Sequence, residues 1–163
     1  MSAAPTDVIK DFLTNTAPER VQVAADRLVA RDATYISLNF SNPELKKIMP
    51  WTGTSSGPEA FVSTFARVAT YWTIKDFTVQ SMFGQDEDVA VFGSFTYQSV
   101  ATGNEVTSPF AIHAKVRDGK ITYFLFMEDT YATARSFSQG GHWTIQSDPA
   151  GPAFDVHPEA SPS

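Results

Sequence analysis

Two adjacent carboxylates, Glu128 and Asp129, end a run of large apolar side chains in FLFMEDTYATA, residues 124–134. Successive side chains on a strand point to opposite faces, so one of the two must share the interior face of its strand. Full burial raises a carboxyl pKa by up to about 3–5 units. Such a group is poised as a general acid or base, an effect worth roughly 10²–10⁴ in rate. Asp129 has a second reading, because Asp is a favoured N-cap and the helix-like TYATARSF follows it. His113 is the other candidate base by side-chain type.

The hairpin signals turn this into a register. A two-residue loop at Thr102-Gly103 sets Tyr97 opposite Ser108, and one at Asp118-Gly119 sets Ser108 opposite Asp129. Tyr97, Ser108 and Asp129 then form one inward row. The same face carries Val91, Phe95, Phe110, Ile112, Tyr123, Leu125 and Met127. The outer face carries Phe92, Thr96, Gln98, His113, Lys115, Phe124, Phe126 and Glu128. This register makes Asp129 the inward carboxylate. A single bulge would exchange the faces, and Pro109 within a strand is a place for one.

The elements that position these residues follow from periodicity. Val8, Ile9, Phe12 and Leu13 have helical spacing over 6–14, and Val21, Ala24, Ala25 and Leu28 form the stripe of a second helix after Pro18. ATYISLNF reads as a strand and NPELKKIMPW as a short helical excursion. Phe61, Val62, Phe65, Val68, Ala69 and Trp72 mark a long helix, opened by Pro58 and a Ser56/Glu59 capping box. From Ile74 the period becomes two, giving a run of antiparallel strands to Glu128. The order is α+β, with helices gathered on one face of a curved sheet. From Gln139 the composition turns to Gly, Pro and Ser, which predicts a C-terminal tail over 139–163 behind a domain over 1–138; His142, Trp143 and Ile145 could pack its start onto the body.

Composition narrows the function classes. The 163 residues suit one domain and include 13 Phe. A net charge of −6 argues against nucleic acid and against an anionic membrane surface. There is no Cys, so disulfides and thiolate metal sites are excluded, and His113, His142 and His157 form no metal motif. No apolar run approaches the ~20 residues of a membrane span. The opening MSAAPTDVIKDFL lacks a basic leader and apolar segment, so the expectation is a soluble, cytoplasmic protein.

RLVARDATYI after a helix, PWTGTSSGPEAFVSTF opening the long helix, VAVFGSFTY and KVRDGKITYFLFMEDT together resemble the nuclear transport factor two-like superfamily, in its SnoaL-like and ketosteroid-isomerase-like branch, over residues 6–138. The resemblance implies a cone-shaped α+β barrel: a strongly curved, mainly antiparallel sheet wrapped around helices, with a deep apolar pocket. It also implies a homodimer through the outer sheet face, here Phe92, His113 and Phe124. Members include isomerases, cyclases, dehydratases and epoxide hydrolases, and others only bind ligands or proteins, so fold does not settle function. The acidic base of the ketosteroid isomerases is replaced here by Ser37 or Asn39. Their second acid is missing from PFAIHAKV, and the Arg-x-Asp pair of the limonene-epoxide-hydrolase-like members is missing from GSFTYQ. An acid at the position of Asp129 remains.

The expected site is therefore Asp129 as acid or base, helped by Tyr97, Tyr35 or Asn39, with Trp51, Phe95, Ser108, Phe110, Ile112, Leu125 and Met127 around an apolar ligand. The expected activity is cofactor-independent isomerisation, cyclisation or dehydration, and no metal is called for. The alternatives are a non-catalytic module that shelters an apolar ligand, or a protein-interaction dimer.

Overall fold

The computed structural model describes residues 3–157. Helices α1 (Pro5–Leu13) and α2 (Val21–Leu28) lead into strand β1 (Val29–Ser37). Helix α3 (Pro43–Ile48), strand β2 (Gly53–Ser56) and helix α4 (Pro58–Tyr71) follow. Four long strands then run consecutively: β3 (Trp72–Gln85), β4 (Asp88–Ser99), β5 (Glu105–Arg117) and β6 (Lys120–Glu128). Helix α5 (Thr130–Arg135) and the short strands β7 (Trp143–Ile145) and β8 (Phe154–Val156) complete the described residues.

The main sheet has the order β2-β1-β6-β5-β4-β3. Every pairing is antiparallel except β1 with β6. The sheet is mixed and open, so the closed barrel of the expectation is not formed. Among the described residues no helix is long and apolar enough to cross a membrane.

The helices bury the stripes their spacing dictates. Val8, Ile9 and Phe12 of α1 and Ala24, Ala25 and Leu28 of α2 lie in one core with the inner sheet face. Arg27 donates two hydrogen bonds to Asp11, at 2.6 and 3.0 Å, and so joins the two helices. Phe12, Phe61, Phe124 and Tyr35 form the aromatic centre, with Tyr35 to Phe61 at 4.7 Å and Tyr35 stacked on Phe124 at 5.3 Å. Edge-to-face and offset-stacked arrangements of this kind add to what area burial alone supplies.

Two local expectations are corrected. Ser56 does not cap α4: it pairs with Thr34 as the last residue of β2, a strand that periodicity did not reveal. Gly57 occupies the cap position with φ +81, a conformation that favours glycine over serine. The β4–β5 connection is longer than two residues, since Ser99 donates its N–H to Asn104 across the loop. Tyr97 therefore pairs with Val106, and Phe95 takes the place opposite Ser108. A shift of two residues leaves the faces unchanged, so Tyr97 and Ser108 both remain inward.

The β5–β6 hairpin departs by one residue, and the consequence is larger. Its turn is as expected, with Arg117 opposite Lys120 and Val116 opposite Ile121. Lys115 then pairs with Tyr123, leaving Thr122 as an extra residue in β6. The bulge lies here and not at Pro109. Beyond it Phe110 pairs with Glu128 and Ile112 with Phe126. Phe124 turns into the core, where it is fully buried, and Met127 turns out, 42% exposed.

The C-terminal segment is not featureless. β7 and β8 pair as a two-stranded antiparallel sheet, and Trp143 packs on Tyr131 of α5 at 5.4 Å. Pro158 and Pro162, part of the expected tail, lie outside the described residues.

Candidate active site

The bulge at Thr122 decides which carboxylate reaches the interior. Glu128 lines a small cavity together with Tyr35 and Ser37 of β1, Trp51, Thr64 and Phe65 of α4, Trp72, Phe77 and Tyr97. Its Oε1 is buried with no hydrogen-bond partner. Burial pushes the carboxyl up to about 7, the nearby Thr133 hydroxyl acts in the opposite direction, and the charge of Asp129 adds to the rise. A carboxyl near 7 exchanges its proton within the physiological range.

Asp129 is the helix cap. Its side chain is exposed and accepts the N–H of Ala132 at 3.0 Å. Its own N–H donates to Ser108 Oγ at 2.9 Å, while Ser108 donates to the Pro109 carbonyl at 2.7 Å. The expected role of Asp129 as pocket acid is thereby overturned, and Ser108 serves the β5–α5 junction instead of the cavity.

Tyr35 and Tyr97, expected beside Asp129, line the cavity with Glu128 instead. Burial raises both phenols above their ordinary range, and the negative charge of Glu128 raises them further. Both therefore stay protonated at any working pH and are available as hydrogen-bond donors. Trp51 forms part of the wall and also packs on Trp72 at 5.1 Å and on Tyr71 at 5.2 Å.

Phe95 and Phe110 support the cavity from behind. Phe95 stacks on Tyr97 at 4.1 Å, and Phe110 stacks on Phe77 at 4.6 Å and on Phe126 at 5.3 Å. Ile112 is buried in the core, away from the cavity wall. Leu125 and Met127 are corrected to the outer face, because the bulge turns them away. Asn39 is not brought to the wall: Leu38, with φ +67, ends the regular strand before it. Both side-chain amide atoms of Asn39 are nevertheless buried without a partner.

His113 lies on the outer face, 2.6 Å from Asp88, whose pKa that contact lowers. Phe92 shares this face and is 45% exposed. Phe124, expected with them at a dimer seam, is in the core. Among the described residues no cluster of His, Asp and Glu is placed to hold a metal ion.

The cavity measures about 40 Å³. That is room for a water molecule or two, against roughly 300–1,000 Å³ for a ligand site. Aromatic rings occupy the remaining volume. A further ring, Phe137, touches the wall from outside, 4.9 Å from Trp72.

Residues 10–124 match the SnoaL-like domain family. The chain belongs to this family. Patulin synthesis protein F of Aspergillus clavatus is 45% identical over 141 residues, covering 84% of this chain and 71% of that protein. Patulin biosynthesis cluster protein F of Penicillium expansum is 44% identical over 136 residues, covering 82% and 68%. The fold is similar to that of an NTF2-like protein from Burkholderia thailandensis, with TM-score 0.70 and 17% identity over 83% of this chain and 98% of the other. At that identity the likeness concerns the fold alone. SnoaL-like membership accounts for the α+β plan with its large curved sheet, while the acid in this chain's cavity is identified by its own geometry.

The signal for Glu128 was weak in the sequence. Both faces of β6 are apolar, Phe124 and Phe126 on one and Tyr123, Leu125 and Met127 on the other. Alternation alone therefore did not select a register.

Proposed function

We propose that this SnoaL-like chain is a small enzyme that moves a proton on an apolar organic molecule, in an isomerisation, cyclisation or dehydration. Glu128 is the acid or base, and Tyr35 and Tyr97 donate hydrogen bonds to an oxygen of the substrate as charge develops on it. The observation that carries this reading is the buried, unpartnered Oε1 of Glu128, with its pKa near 7, at the wall of an aromatic cavity. An unpartnered buried polar atom destabilises the fold, so its presence calls for a functional explanation. The two relatives named for patulin synthesis support a role in the biosynthesis of a small metabolite.

Substrate entry requires the rings around the cavity to part, because about 40 Å³ does not hold an organic substrate. On this reading the deep apolar pocket expected from the family opens only as the ligand enters.

The small cavity favours one rival specifically: a module that closes over an apolar ligand without altering it. Turnover of a panel of enones, lactones and epoxides separates the two. The enzyme reading expects turnover by the wild type that is lost in Glu128→Gln while ligand binding persists. Tight binding with no turnover by the wild type would favour the module.

We also propose that two copies associate through the outer sheet face around Phe92 and His113. Phe83 and Phe92 lie 6.0 Å apart there and are 58% and 45% exposed. Sedimentation of wild type and Phe92→Asp tests this; a wild type that is monomeric at micromolar concentration sinks it.

A further inference from the structure

A second cavity, of about 300 Å³, lies between α5 and the C-terminal segment. Ile48 of α3, Tyr131 and Arg135 of α5, Phe137, His142 and Trp143 contribute to its walls. This volume is at the lower end of the range that accommodates organic ligands. Phe137 is common to this cavity and to the ring layer behind Glu128, so the two spaces are separate compartments with an aromatic partition.

The chemistry of the outer cavity is distinct. Tyr131 and Trp143 meet at 5.4 Å and 70°, forming an aromatic corner. The Arg135 guanidinium lies 5.3 Å from the centre of the Tyr131 ring. Its Nε is buried and has no hydrogen-bond partner. Among the described residues Arg135 has no carboxylate within ion-pair distance.

An arginine cannot relieve this by losing its proton. Buried N–H groups almost always have an acceptor, and the planar guanidinium fork matches a carboxylate best. Tyr131 and Trp143 leave substantial ring surface exposed, 43% and 56%. A flat apolar body would cover it. The net charge of −6 opposes an anion at long range, but salt screens charges beyond about 8 Å.

We infer that this outer cavity is a binding site for a flat, apolar organic acid, with its carboxylate on Arg135 and its ring against Tyr131 and Trp143. The site goes beyond the acid–base reading and does not depend on it, since Glu128 lies in the other compartment.

Calorimetric titration of the full chain with naphthoate and with the neutral naphthamide tests the inference. Naphthoate is expected to bind at least about tenfold more tightly than naphthamide, the difference made by one charge-assisted pair. Arg135→Gln should reduce naphthoate to the affinity of the amide. Trp143→Ala should weaken both, and Glu128→Gln should leave the preference intact. Equal affinities in the wild type, or no naphthoate binding up to millimolar concentration, would overturn the site. So would a preference that survives Arg135→Gln or that disappears in Glu128→Gln. Should Arg135→Gln not fold, the wild-type comparison with Trp143→Ala and Glu128→Gln decides.

Discussion

Glu128 and Asp129 are neighbours in the chain, yet one carboxyl lies among aromatic rings and the other caps a helix in solvent. The strand alternation that separates them also assigns them different tasks. Glu128 opposes Phe110 on the inner face, and Asp129 begins α5 where β6 ends. The acid we propose as functional and the cap of the next helix are thus adjacent, and substitutions at the two positions should have opposite signatures.

For Glu128→Gln the signature is a gain in stability with a loss of activity. The folded pKa of about 7 lies above the ordinary 4.5. Between these values the unfolded chain is ionised while the folded chain holds the proton, so wild-type stability falls as pH rises. Below about 4.5 the two proteins should differ little. Above about 7 the glutamine variant should be more stable by roughly 3 kcal/mol, an order-of-magnitude figure from the size of the shift. Urea denaturation at pH 4, 6 and 8 reads this directly, and a pH-independent difference would place the Glu128 carboxyl in water. Activity, if Glu128 is the base, should rise through pH about 7; if it is the acid, it should fall there.

Asp129→Ala should lose about 0.5–2 kcal/mol, the usual cost of removing an N-cap acceptor. Asp129→Asn and Asp129→Ser should recover most of it, since both can accept the Ala132 N–H. Turnover per folded molecule should change little. A hundredfold loss of turnover in well-folded Asp129→Asn would return the chemistry to Asp129.

Much of this was legible in the sequence, and the part that was not has a definite cause. Helical stripes such as Val8-Ile9-Phe12 and the change to period two at Ile74 led directly to α1, α4 and the long strands. Tyr35, Trp51 and Tyr97 were expected around one acid and do line one cavity, but the acid there is Glu128 and not Asp129. The error arose at Thr122, because a bulge in a strand that is apolar on both faces leaves no trace in its alternation. β2 was missed because GTSS has neither bulk nor alternation, and its pairing with β1 is a tertiary fact.

Thr122 itself can be tested. Its deletion would restore the simple register and turn Phe124 and Phe126 outward and Tyr123, Leu125 and Met127 inward. Exposing fully buried Phe124 alone forfeits about 1.5–3 kcal/mol. Deletion of Thr122 should therefore abolish cooperative unfolding or lower its midpoint sharply. Thr122→Ala keeps the bulge and loses only a 3.3 Å hydrogen bond to the Lys115 carbonyl. It should fall within about 1 kcal/mol of wild type. A deletion variant as stable as wild type would mean that the bulge is not what selects Glu128.

Tyr35→Phe and Tyr97→Phe distinguish donors to a substrate from donors to the protein. Both rings are packed among aromatic neighbours, so removing either hydroxyl leaves that packing in place. Each variant should fold with stability within about 0.5 kcal/mol of wild type. Turnover should fall by roughly 10–1,000-fold if the hydroxyl stabilises a developing oxyanion. Loss of stability without loss of turnover would make that tyrosine a packing residue.

Gly93 tests how the wall is built. It faces inward on β4 between the fully buried Val91 and Phe95. A Cβ there would lie 2.1 Å from the Thr78 carbonyl oxygen and 2.5 Å from Phe110 Cζ. Both contacts are below any real approach, and the first is to backbone on the paired strand. The missing side chain is what lets Phe110 stack on Phe77, which lines the Glu128 cavity. Gly93→Ala should lose at least about 1–3 kcal/mol through overpacking. Because Phe110 must shift, ligand affinity at the cavity should fall along with stability. Denaturation midpoints and a ligand titration on the folded fraction measure both. A Gly93→Ala protein that keeps its stability but loses binding would mean that β3 yields and the ring stack absorbs the strain. One that keeps both would show that Phe77 and Phe110 do not set the shape of the cavity.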